Sequence, residues 1–366
     1  MKKTRILQLE GIRFIMCCII ILSHFEFLEK SQYFGQFYLM HLHNPGLAVD
    51  YFFMLSGFGM YLSIKRPSFT LFDASKFAKN KVKKIYPAYI LSLLIGVPYT
   101  IFIFLQYSSL GKSILKTIFY FGLDLTLLQS IFGISKFTHA INGVAWFLSS
   151  LFICYCFSPL LLKFIDSIKS LRQIIYSILL TFIYIFLLTG FYIWINNISF
   201  GIFNQLWYSH PSLRIAYVWL GMCIGFIYRK FKFYFGTTSE LIIIITFILY
   251  FYWGNAIFID VNIKSFFDSV FCFIFIFVFS NGNGKVTEFF KASVLVYLGN
   301  ISMYLFLFHY PIRMNISTLF AKYNLYSRLG EESFIIEILL ILIITFLVVS
   351  IFILVQKNVE KIVKMR

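Results

Sequence analysis

Long apolar runs separated by short polar stretches dominate the chain. Ten of them reach the length needed to cross a bilayer: 12–28, 46–64, 88–107, 145–163, 173–193, 213–228, 239–257, 265–280, 294–312 and 334–356. Several are short and require tilt or local thinning of the membrane. An eleventh run, Ile114–Ile134, carries Asp124 and Gln129 and either spans or lies in the interface.

Charge separates these alternatives. If 114–134 does not span, ten helices leave both termini on one side. The segments 1–11, 65–87, 163–172, 229–238, 281–293 and 357–366 then face the cytoplasm. They hold about 22 of the 32 Lys and Arg residues, against about 9 outside, as the positive-inside rule expects. A spanning 114–134 would instead push "YRKFK" (228–232) and the tail "KNVEKIVKMR" outside. The pattern therefore predicts an all-α, polytopic membrane helix bundle of about ten transmembrane helices with both termini cytoplasmic. Residues 1–366 form one integral-membrane domain, with 114–134 an outer-face or re-entrant segment buried against protein. Lys2, Lys3 and Arg5 imitate the start of a signal peptide, but no A-x-A-like site follows, so the first run is expected to stay as a spanning helix. The ten residues after Gln356 are too few for a soluble domain.

Composition agrees. The chain is 60% hydrophobic and 13% charged, against about 45–50% and about 25% in soluble domains. The net charge of +17 is spread through the stretches between apolar runs, which suits membrane topology better than a nucleic-acid partner. All six Cys lie inside apolar segments at spacings that form no metal cage, and they read as reduced packing residues.

Polar residues inside these runs carry the candidate chemistry. Arg13 and His24 are eleven residues apart, which on a helix means about 20° in azimuth and about 16 Å in height. They share one face of the first helix. Arg13 either snorkels to the cytoplasmic interface or meets a ligand there, and His24 is either an interfacial histidine or a catalytic one. The topology puts Asp50 of "GLAVDYFFMLSGF" (46–58) at the depth of His24, where it either caps its helix or orients the imidazole. Ser56, Gly57 and Gly59 form a small-residue stripe suited to close helix packing. His309 of "YLGNISMYLFLFHYPI" (297–312) also falls level with His24, with Pro311 expected to end or kink the helix. Trp146 of "WFLSSLF" (146–152) is either an interfacial belt residue or a wall of the site. The patch "KVKKIYP" (81–87) lies at the mouth on the Arg13 side and reads as a topology signal, an anionic-lipid contact or a seat for a phosphorylated ligand. No phosphate loop, HExxH or GxSxG motif competes, and His41 and His43 lack further ligands for a metal.

Together these segments resemble the membrane-bound acyltransferase-3 family, which O-acylates extracytoplasmic sugars. "LEGIRFIMCCIIILSHF" (9–25) resembles its first-helix motif and "GLAVDYFFMLSGF" its second helix. "KVKKIYPAY" (81–89) is similar to its basic loop, "LTLLQS" (125–130) with "WFLSSLF" to its middle signature, and "YLGNISMYLFLFHYPI" to its late helix. Order and spacing run nearly end to end. Three departures stand out: Glu10 replaces the usual Asp, Lys81, Lys83 and Lys84 replace arginines, and no glutamate follows the tryptophan motif. No fused extracytoplasmic domain is present in this sequence, so transfer is expected to finish inside the bundle or with a separate partner.

The resemblance implies acetyl-CoA as donor, entering from the cytoplasm, and a polysaccharide or lipid-linked glycan as acceptor. Arg13, Lys81, Lys83, Lys84 and Tyr86 are then expected at the CoA phosphates. His24 acts as general base with Asp50 orienting it, or becomes acylated itself, and His309, Trp146 and Tyr310 line the acceptor side. A bacterial cytoplasmic membrane, a capsule or exopolysaccharide acceptor and glycan-assembly partners fit this picture. The competing class is a transporter or flippase of lipid-linked sugars, whose path would use the same intramembrane ionisable residues. A catalytically inactive scaffold is a third possibility.

Overall fold

The computed structural model describes residues 6–43, 45–63, 71–258 and 260–365. Lys2, Lys3, Arg5 and the stretch 64–70 lie outside the described residues. Each of the ten apolar runs is carried by helix. In chain order these are α1 (Leu7–Ser23), α2 (Gly46–Ser63) and α3 (Leu71–Leu105). An amphipathic helix, α4 (Leu110–Leu125), precedes the bent pair α5 (Trp146–Cys156) and α6 (Ser158–Ser167). Then come α7 (Leu171–Ile198), α8 (Pro211–Lys230), α9 (Thr237–Ile257), α10 (Val261–Ser280), α11 (Ser293–Lys322) and α12 (Glu332–Met365). Among the described residues, seven helices are long and apolar enough to cross a membrane on their own. The α5–α6 pair, bent by 53°, makes an eighth. The shorter α1 and α2, 17 and 18 residues long, account for the remaining two runs. Among the described residues there is no β-strand. The fold is an all-α polytopic bundle.

The two short helices sit at its centre. α2 packs most extensively on α8, and α1 on α11. Backbones meet there: a Cβ on Gly57 would overlap the Val218 carbonyl, one on Gly221 the Met54 carbonyl, and one on Gly299 the Glu10 carbonyl. Of the expected stripe, only Gly57 serves such packing. Gly59 faces open space and the Ser56 hydroxyl bonds its own helix at Phe52 O, 2.8 Å away. The outer helices expose apolar side chains, among them Leu180, Ile183 and Leu187 on α7 and Ile343, Leu347 and Ile351 on α12. Such a surface requires lipid around it.

The start of α1 and the end of α12 share one end of the bundle. Gln8 donates to Phe279 O at the close of α10 (2.9 Å), and Tyr304, early in α11, donates to Gln356, late in α12 (3.3 Å). The ambiguous 114–134 run does not make a spanning helix. α4 buries Ser113, Thr117 and Asp124 against the protein and leaves Leu115, Ile118 and Phe119 exposed, and a 3₁₀ turn at Gln129–Phe132 follows.

Two boundaries differ from expectation. The basic stretch 76–87 is not a loop, because α3 begins at Leu71 and runs through it into the span, with Pro87 inside the helix. Lysine is a good helix former, and charged side chains on a helix extending beyond lipid stay in water. Pro311 likewise neither ends nor replaces helix: α11 continues eleven residues past it to Lys322.

Candidate active site

Continuity through Pro311 is what builds the site. Proline has no N–H, so the Leu307 carbonyl loses its helical donor. The Asn142 amide supplies one, donating to Leu307 O at 3.0 Å and to the Ser92 hydroxyl, also at 3.0 Å. With that carbonyl satisfied, α11 passes the end of α1 without a break and brings His309 to His24.

His24 closes α1, its backbone N–H on Ile21 O at 3.2 Å. Its Nδ1 lies 2.7 Å from Ile20 O and 3.3 Å from His309 Nε2. His309 Nδ1 in turn lies 3.2 Å from Leu305 O. The carbonyls fix the proton positions: a carbonyl only accepts, so both Nδ1 atoms donate. His309 Nε2 then bears a lone pair and serves as second acceptor for His24 Nδ1–H. His24 Nε2 is left as a lone-pair nitrogen. The Tyr310 ring stands edge-on to His24, centroids 5.2 Å apart at 85°. His309 is buried, whereas His24 and Tyr310 are half-buried.

Asp50 is not part of this cluster. Its carboxylate pairs with the Arg214 guanidinium, Oδ1 to Nη1 at 2.5 Å, and among the described residues it makes no hydrogen bond to His24. Asp50 instead forms an ion pair between the first turns of α2 and α8. Arg214 also donates through Nε to Tyr208 O at 2.7 Å and through Nη2 to the same oxygen. The rings of Phe53, Trp146, Tyr208 and Tyr217 surround it with centroids 5.2–5.5 Å from Cζ. Trp146, 5% exposed, is thus a wall of this cage and not an interfacial belt residue.

At the opposite end of α1, Arg13 pairs with Glu10, Nη1 to Oε2 at 2.7 Å, both half-buried. Lys83 and Lys84 are exposed on α3, and the Lys81 ammonium sits over the Phe77 ring at 5.3 Å. Phe77 in turn meets the Tyr155 ring at 5.7 Å. Tyr86 is engaged differently: its hydroxyl donates to Leu125 O at 2.8 Å and ties the end of α4 to α3.

Sequence reasoning singled out neither Arg214 nor Arg313. Both sit at the edge of a predicted run, where an arginine reads as an interface marker. Arg313 lies one helical turn beyond His309. Its Nη2 is 3.2 Å from Glu26 Oε2 and its Nη1 2.7 Å from the Met314 sulfur, while its buried Nε has no partner among the described residues.

A family model described as an acyltransferase domain matches residues 6–354. No curated protein and no solved structure matches the chain.

Proposed function

The chain belongs to that acyltransferase family, and from this premise we propose an O-acetyltransferase that moves an acetyl group from cytoplasmic acetyl-CoA to a hydroxyl of an extracytoplasmic or lipid-linked polysaccharide. One observation carries the reading. The lone-pair Nε2 of His24 stands at one end of α1, backed by His309, and Arg13 stands about 16 Å below on the same helical face.

In this reading Arg13, Lys81, Lys83 and Lys84 meet the CoA phosphates at the basic end, their cations matching anionic oxygens. The thioester reaches His24 along α1. His24 Nε2 takes the proton of the acceptor hydroxyl as its oxygen attacks the thioester carbonyl. The C–O bond forms, the C–S bond breaks, and the imidazolium returns its proton to the departing CoA sulfur. His309 Nε2 accepts the Nδ1–H of His24 throughout, fixing the tautomer and favouring the transient charge. That orienting task passes from Asp50 to His309. Tyr310 borders the acceptor, and Trp146 acts indirectly, through the Arg214 cage.

The charge bias of the polar segments supports cytoplasmic termini, which puts His24 toward the outer side of a bacterial cytoplasmic membrane. Capsular or exopolysaccharide chains and their assembly proteins are the natural partners there.

Purified protein in vesicles with labelled acetyl-CoA and cell-surface glycan tests this. His24→Ala should lower label transfer by about 10²–10⁴-fold with unchanged yield and melting temperature. Full transfer by a folded His24→Ala variant defeats the mechanism. Glycan that moves across the membrane unlabelled points instead to a transporter.

A further inference from the structure

The reaction uses His24 and His309, but the guanidinium one turn above them has no role in it. We propose that Arg313 seats an anionic group of the acceptor, a carboxylate or a phosphate, so that the glycan acetylated here is acidic. This rests on the reading of the His24 end as the acceptor side.

Arginine carries five N–H donors in a planar fork. In Arg313 they are poorly used. The Nε–H and Nη2–H edge, the one that grips a carboxylate or phosphate bidentately, holds a single contact to Glu26 at 3.2 Å. Nη1 rests on a thioether, a weak acceptor, and among the described residues Nε has no partner. The Arg313 side chain is only 7% exposed, and leaving a charged donor buried and unpaired costs free energy. A site that tolerates this cost is poised for a ligand.

Placement agrees. Arg313 follows His309 by four residues on one unbroken helix, so it stands about 6 Å further from the donor end on the same face. An anion held there would lie one helical turn from His309. Glu26 is the placeholder. Its side chain is 49% exposed and belongs to a 3₁₀ turn, Glu26–Lys30, so it can move into water and give up its place to a ligand.

The test is thermal unfolding of the full-length protein with millimolar D-glucuronate, glycerol 3-phosphate or D-glucose. We expect D-glucuronate, for a carboxylate seat, or glycerol 3-phosphate, for a phosphate seat, to raise Tm by about 2 °C or more, and D-glucose not to. Arg313→Gln should abolish the shift, Arg313→Lys keep part of it, and Glu26→Gln enlarge it. No shift with either anion, or a shift that survives in Arg313→Gln, overturns the proposal. A Glu26→Gln shift equal to that of the wild type overturns the placeholder role. Acetyl transfer by the same wild-type preparation is scored separately, so failure of the proposed reaction and failure of the anion seat are distinguishable.

Discussion

Arg214 and Arg313 both lie on long helices of the bundle, and each meets a carboxylate from another part of the chain. The Arg214–Asp50 pair is 2.5 Å long, with side chains 3% and 6% exposed. Two donors on one carbonyl and four aromatic faces complete the Arg214 shell. The Arg313–Glu26 pair is 3.2 Å long, and its acidic side chain is half in water. A saturated guanidinium has no capacity left for a ligand and holds helices together. An unsaturated one contributes little to the fold and retains capacity for something else. Burial alone does not separate structure from function here; the count of satisfied donors does.

The sharpest way to break that contrast is to remove one charge from the saturated pair. Asp50→Asn or Arg214→Met leaves its partner buried without compensation and should destabilise the protein by about 3–5 kcal/mol. A fall in melting temperature and in the yield of extracted protein reads this out. Asp50→Asn that melts like the wild type but transfers no acetyl group would return Asp50 to the chemistry.

A smaller effect follows from the backbone contact beside the same pair. Gly57→Ala or Gly221→Ala drives a Cβ into a carbonyl of the facing helix and should cost about 1–3 kcal/mol. Gly59→Ala, with open space at its Cβ position, serves as the control and should leave the melt unchanged.

Why was part of this legible in the sequence? Lipid demands long apolar segments, so every spanning helix leaves a run, and the ten runs match the helices of the bundle. Helical period and even crossing number also put His24 and His309 at one height, which is where the two rings meet. The partners of buried charges leave no such trace. Asp50 and Arg214 are 164 residues apart, and nothing local in "GLAVDYFF" says which distant cation the aspartate will meet. Pro311 does not end its helix for a related reason: the donor that satisfies Leu307 O is Asn142, 165 residues away. Likewise Pro87 and the lysines before it mark the edge of the apolar run, but not the edge of the helix that carries them.

On the unsaturated side, Arg313→Gln should change stability by less than about 1 kcal/mol. The variant loses one long ion pair, and the Glu26 left behind is already half hydrated. A destabilisation as large as that of Arg214→Met would make the two arginines alike and remove the distinction.

The smallest expected effect concerns the segment that carries Glu26. Just beyond its 3₁₀ turn, the Ser31 hydroxyl donates to Glu331 Oε2 at 2.5 Å and the Gln32 N–H to Oε1 at 2.8 Å. Those two donors favour the ionised form and hold Glu331, in the loop between α11 and α12, below its ordinary value near 4.5. A lowered folded-state pKa means the clasp contributes fully above that ordinary value and is lost as the pH falls through the lower folded one. Glu331→Gln should therefore melt slightly below the wild type at pH 7 and together with it once the acid is titrated. Because the clasp restrains the chain next to Glu26, its loss should also ease Glu26 away from Arg313 and strengthen the D-glucuronate or glycerol 3-phosphate shift at pH 7. An unchanged shift in Glu331→Gln would mean that Glu26 leaves Arg313 by side-chain rotation alone.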